Sequence, residues 1–219
     1  NTYKRFIAEK DKSYISPQWL TNFIVDDFFQ YLNITYSSRF TKSVAIGFSL
    51  YQTAIRDTKL SRVRIQVGIY KIIVDTRYLI ISIMIPNIHF YLLRVTIPDK
   101  VIQVYDSLYT RHKDAYKQDV KDVSFWLNTL YNTCPNELYE LSIIHGPEQP
   151  NFDDCGPFSA RTAEYLYQNE VPRYSVSEKE TSQYRLYMAA CIRGLEEYLR
   201  YLITLIILLE FFFSRSYSS

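Results

Sequence analysis

The segment from Tyr78 to Asp106 constrains this chain more than any other. Tyr78-Leu79-Ile80-Ile81-Ser82-Ile83-Met84-Ile85 is an apolar, isoleucine-rich run that stops at Pro86. It is too short to span a bilayer, and it suits a strand buried on both faces. Phe90–Ile97 and Val101–Asp106 follow, and Pro98-Asp99-Lys100 between them is turn chemistry that joins neighbouring antiparallel strands. Three consecutive strands with two apolar faces need helices on both sides, and the flanking sequence supplies them.

Ser16-Pro17 reads as a helix N-cap and first helical residue. Leu20, Phe23, Ile24, Phe28, Tyr31 and Leu32 then recur at spacings of three and four, to an end near Asn33. Phe40, Val44, Phe48 and Tyr51 predict a second helix over about 40–56, and Ile65, Val67 and Ile69 alternate as a strand does. Beyond the three strands, Val120, Val123, Leu127 and Leu130 place a helix over 114–131, and Leu141–Ile144 reads as a short strand. A loop rich in Gly, Pro, Asn and Asp leads to a helix from about Cys155 to Gln168, and another covers about 180–200. The fold class is α+β, a single domain of 219 residues with a central mixed or antiparallel sheet flanked by helices. Residues 1–200 are expected to form that domain and 201–219 a hydrophobic C-terminal tail.

The tail holds nine uncharged residues, Tyr201 to Leu209, before Glu210 and three Phe. A spanning helix needs ~20 apolar residues. A helix packed on the domain or on a partner is expected, rather than a membrane contact through 201–213. The chain begins at Asn1, which reads as a piece of a longer protein. Asn33-Ile34-Thr35 is a glycosylation sequon of the kind that arises by chance.

Composition removes several kinds of chemistry. With 25 basic and 23 acidic residues, the net charge of +2 gives no general pull toward nucleic acid or anionic lipid. The five glycines are scattered and cannot build a phosphate-cradling loop. Three Cys without a CxxC pair and three His give neither zinc spacing nor a disulfide framework. No metal and no cofactor are expected, in a reducing, intracellular compartment, nucleus or cytoplasm.

What remains is a cysteine. Cys155 follows an acidic loop and precedes Gly156, where a helix should open and the positive end of its dipole favours a thiolate. A thiolate nucleophile needs a base and a group to orient that base. His89 lies at the sheet rim, and Asp106 closes the strand that pairs with the His89 strand. The hairpin centred near Pro98-Asp99 brings the two together. His145, ten residues before Cys155, competes as base, whereas His112 lies in a charged, solvated turn. Gln149, six residues before Cys155, is placed to donate to an oxyanion alongside the Cys155 N–H.

These motifs resemble the Ulp/sentrin-type cysteine proteases, which remove SUMO and related ubiquitin-like modifiers. The carriers are His89-Phe90-Tyr91-Leu92-Leu93, Val104-Tyr105-Asp106-Ser107-Leu108 and Gln149-x5-Cys155-Gly156, with Trp19-Leu20-Thr21-Asn22 opening the domain. The resemblance covers about residues 14–200. It implies a papain-like architecture, Cys155 as nucleophile, His89 as base, Asp106 as its orienter and Gln149 as oxyanion donor. It also implies Trp19 and Phe90 as aromatic walls of a tunnel that admits only Gly-Gly. Phe90 stands where the family usually has Trp, and Pro157 where Val or Ile is common. The implied activity is cleavage after the C-terminal Gly-Gly of SUMO or another ubiquitin-like protein and its conjugates. An acyltransferase using the same triad, a decayed modifier-binding module and an effector protease cutting ordinary polypeptide after Gly-containing sites remain as alternatives.

Overall fold

The computed structural model describes residues 20–36, 42–56, 73, 75–85, 88–108 and 113–216. The elements run α1 (Asn22–Tyr36), β1 (Ser43–Ile46), α2 (Phe48–Tyr51) with a π-helical turn (Gln52–Arg56), β2 (Tyr78–Ile85), β3 (His89–Thr96) and β4 (Val101–Tyr105). They continue with α3 (Lys113–Leu130), β5 (Glu140–Ile144), α4 (Cys155–Tyr167) and α5 (Glu178–Ser216). The sheet order is β1-β2-β3-β4-β5. The three central strands pair antiparallel, and each outer strand joins its neighbour in parallel, so the sheet is mixed. An α+β domain with a central mixed sheet flanked by helices is what the strand block demanded.

Side chains alternate across β3 and sort the core into two halves. Tyr91, Leu93 and Val95 face a cluster with Tyr51, Tyr116, Trp126 and Leu127, from α2 and α3. Phe90 and Leu92 face the other, with Phe28 and Leu32 of α1, Ala160, Ala163 and Leu166 of α4, and Met188 and Ile192 of α5. Burying each large apolar side chain is worth ~1.5–3 kcal/mol, so both faces hold the sheet between helices.

The helix expected over 40–56 is corrected: Ser43–Ile46 is β1, and residues 40 and 41, with Phe40 of the expected stripe, lie outside the described residues. Val44 and Ile46 are β-branched and pair with Leu79 and Ile81 of β2, and Gly47 separates strand from helix. The stripe Val44, Phe48, Tyr51 marks burial on both sides of that break. Asn33 closes the outer edge of β1, since its side chain donates to Ala45 O and accepts from Ala45 N, both at 2.8 Å. The amide that heads the sequon is thus committed inside the fold. Helix α1 continues past Asn33 to Tyr36, and α5 continues past residue 200 to Ser216. Among the described residues no helix is long and apolar enough to cross a membrane. The lead-in, the Ser16-Pro17 cap, the alternating stretch 64–69 and His112 lie outside the described residues.

Candidate active site

The β3–β4 hairpin sets the first half of the site. Thr96 pairs with Val101 and Leu92 with Tyr105, so the start of β3 and the residue after β4 meet at one rim of the sheet. There His89 Nε2 donates to Asp106 Oδ1 at 2.5 Å, with His89 only 1% exposed. Asp106 is held from two further sides. The Leu108 N–H donates to Oδ1 at 2.7 Å, and the Tyr116 hydroxyl of α3 donates to Oδ2. A carboxylate with three donors cannot swing away from the imidazole it orients.

Helix α4 supplies the second half. Cys155 is its first residue, is 1% exposed, and brings its sulfur near enough to His89 to act on the charge of the imidazole. With Nε2 committed to Asp106, Nδ1 is the ring nitrogen left for the sulfur. Burial alone would hold His89 neutral. The Asp106 carboxylate and the Cys155 sulfur outweigh it and push the His89 pKa up to about 9. Burial likewise opposes ionisation of Asp106, but the bond and charge of His89, with Tyr116 and the Leu108 N–H, bring its pKa below the usual carboxylate value. Gly156 permits the close approach of α4 to the start of α1, because a Cβ there would lie 3.0 Å from Leu20 Cβ.

Gln149 is buried in the loop ahead of Cys155. Its Oε1 accepts from the Ser107 hydroxyl at 2.5 Å, and its Nε2 donates to Asn151 O at 2.6 Å. The amide nitrogen carries two protons, so one N–H remains for a ligand. Nearby, Asp154 pairs with Arg185 of α5. Tyr116, Asn151 and Arg185 escaped the sequence reading. Tyr116 and Arg185 are ordinary polar residues outside the motifs, Asn151 lies inside Gln149-x5-Cys155 without a pattern that marks it, and only the Asp-Ser-Leu run signalled Ser107.

Sequence reasoning thus named four residues that the fold gathers: His89 bonded to Asp106, Cys155 near that imidazole, and Gln149 tied to Ser107, the neighbour of Asp106. His145 is exposed at the end of β5, while the Asp106 carboxylate is bonded by His89. Phe90 packs in the core cluster that holds Leu20 and Cys155. Trp19 lies outside the described residues. Cys134 is exposed and Cys191 half-buried, both as free thiols. Among the described residues no three His, Cys, Asp or Glu side chains are grouped to hold a metal ion.

Comparison with known proteins gives the architecture a family. The C-terminal Ulp1 protease domain solved with Smt3, the yeast ortholog of SUMO, superposes with a TM-score of 0.71 at 20% identity, over 84% of this chain and 80% of that one. The Chaetomium thermophilum Ulp1-like SUMO protease catalytic domain follows at 0.57 and 17% identity, over 82% and 75%. The Xanthomonas campestris effector XopD bound to ubiquitin gives 0.57 at 12% identity, over 78% and 91%. No curated protein matches the chain. The fold is the papain-like cysteine protease fold of these neighbours. The model of the Ulp1 protease family, C-terminal catalytic domain, matches residues 2–195. A buried cysteine at a helix start therefore sits in a cysteine-type peptidase domain, and the chain belongs to the Ulp1 protease family.

Proposed function

We propose that this protein cleaves after the C-terminal Gly-Gly of SUMO or a related ubiquitin-like modifier, with Cys155 as nucleophile. The observation that carries the reading is the buried His89–Asp106 bond of 2.5 Å, with Cys155 beside that imidazole at the start of α4. The Cys155 sulfur bonds to the Gly carbonyl carbon, and the resulting oxyanion is held by the Gln149 amide and the Cys155 N–H. The His89 imidazolium gives its proton to the leaving amine as the C–N bond breaks, leaving a thioester. Water, deprotonated by His89, attacks that thioester, releasing the modifier's carboxylate and returning the proton to the Cys155–His89 pair. Asp106 holds the ring in orientation throughout.

Trp19 and Phe90 are the aromatic walls of the Gly-Gly tunnel, flat surfaces that leave no room for a Cβ. Residues 1–200 form the catalytic domain and 201–219 a hydrophobic tail. The setting is intracellular, nucleus or cytoplasm, where a thiol stays reduced. Support for the substrate comes from the neighbours solved with Smt3 and with ubiquitin.

The test compares hydrolysis of C-terminal coumarin amides of SUMO, of ubiquitin and of a short peptide ending in Gly-Gly. The expected result is a kcat/KM for one modifier about 100-fold or more above that for the peptide, since remote binding energy is used at the reacting centre. Equal rates on all three would contradict modifier specificity and favour a protease acting on ordinary polypeptide.

A further inference from the structure

Asp154 stands immediately before Cys155, at the N-cap of α4. A carboxylate there ordinarily accepts a helix N–H, yet Asp154 makes no side-chain capping bond. It is turned inward instead. Arg185, on α5, donates to Asp154 Oδ1 through Nη2 at 2.7 Å and Nε at 3.2 Å, and to the Asp153 carbonyl at 3.1 Å. Both side chains are buried, at 4% exposure for Arg185 and 8% for Asp154. A buried ion pair is costly to desolvate and contributes little net stability, so the geometry it imposes on the loop matters more than the energy it adds.

The bonds continue toward the site. Asp154 Oδ2 accepts from Asn151 Nδ2 at 2.7 Å. Asn151 Oδ1 in turn accepts the N–H groups of Asp153 and Asp154, at 3.0 and 3.1 Å, which folds the loop back on itself. The Asn151 carbonyl accepts from Gln149 Nε2 at 2.6 Å, and Gln149 Oε1 accepts from Ser107 at 2.5 Å. One run of hydrogen bonds therefore extends from α5 to the end of β4, and the Gln149 amide lies within it. His89, by contrast, is held by Asp106.

We propose that Arg185 is a positioning residue for the oxyanion side of the site, acting through Asp154 and Asn151 on the Gln149 amide. The proposal rests on the cysteine protease reading above. It assigns to the C-terminal helix a role in transition-state stabilisation and none in activating the thiol.

The test uses the full 219-residue chain and the coumarin amide of the modifier it cleaves. Arg185→Lys keeps the buried charge but replaces the planar guanidinium, whose Nη2 and Nε both reach Asp154 Oδ1, by a single ammonium nitrogen on a shorter stem. The expected result is a kcat lower by about tenfold, a fraction of the 10²–10³ lost with a whole oxyanion donor. KM and the rate of Cys155 alkylation by iodoacetamide stay within about twofold, because the loss is confined to the transition state for acyl transfer. In a Gln149→Ala background the same substitution lowers kcat by less than about twofold, as expected of groups acting in one unit. Should Arg185→Lys not fold, Asp154→Asn with Arg185→Met removes both charges at similar volume and is measured identically. An unchanged kcat, a parallel fall in alkylation, or the same tenfold loss in the Gln149→Ala background would each overturn the proposal. An absence of turnover in the parent chain would instead overturn the protease reading on which it rests.

Discussion

Replacing Cys155 by Ala is expected to lower turnover of a modifier amide by about 10⁵-fold or more, the scale on which loss of a covalent nucleophile acts. At 1.36 kcal/mol per decade that is ~7 kcal/mol of transition-state stabilisation. No acyl-enzyme can form, and water would have to attack the amide directly. The modifier should still bind, with Kd within about threefold of the parent, because one sulfur atom at the bottom of the site is all that changes. Cys155 also packs in the core with Leu20, Phe90 and Ala160, so circular dichroism must show that the variant folds. A loss of less than tenfold from a folded variant would place the nucleophile elsewhere, with Cys134 and Cys191 the remaining thiols.

Asp106→Asn should have the next largest effect, a fall in kcat/KM of about 10²–10⁴-fold, because an amide in that place no longer fixes the productive tautomer or stabilises the imidazolium. The pH profile identifies the cause. His89 is raised to about 9 by Asp106 and Cys155 against the effect of burial. The protonated ring that the leaving amine requires is therefore lost as pH rises through about 9, and kcat/KM should decline there. Removing the Asp106 charge removes a cause of the upward shift, so in Asp106→Asn that alkaline decline moves to lower pH. The linked stability has the same sign. The His89 contribution is complete below its ordinary pKa of ~6.5 and disappears as pH climbs through about 9. The Asp106 contribution, from a lowered pKa, is present above the ordinary carboxylate range and is lost as pH falls through the depressed value. A folded Asp106→Asn with activity within threefold of the parent and an unmoved alkaline limb would contradict the assignment of Asp106 as orienter.

Much of this arrangement was legible in the chain because it follows from local rules. The Pro98-Asp99-Lys100 turn sets the β3–β4 register, and that register brings His89 to Asp106. The apolar runs of β2 and β3 announced a sheet buried on both faces. Legibility failed where side chains act over long sequence distances. Val44, Phe48 and Tyr51 fit a helical stripe as well as a strand followed by a helix, and only pairing with β2 decides between them. Tyr116, ten residues from Asp106, has no pattern that marks it as the donor to Oδ2. Arg185, thirty-one residues from Asp154, is in sequence one more basic residue on a helix. Gly156 was visible as part of a motif, but its steric reason, the contact with Leu20, needed α1 and α4 in place.

The most direct measurement is intact-mass spectrometry after incubation with SUMO and with ubiquitin, each ending in a reactive Gly electrophile, using the parent chain and Cys155→Ala. The expected result is a single covalent adduct with one of the two modifiers, mapped by peptide analysis to Cys155 and absent from Cys155→Ala. An adduct on Cys134 or Cys191, or no adduct with either modifier from a folded chain, would contradict the assignment of Cys155 as the nucleophile of a ubiquitin-like modifier protease.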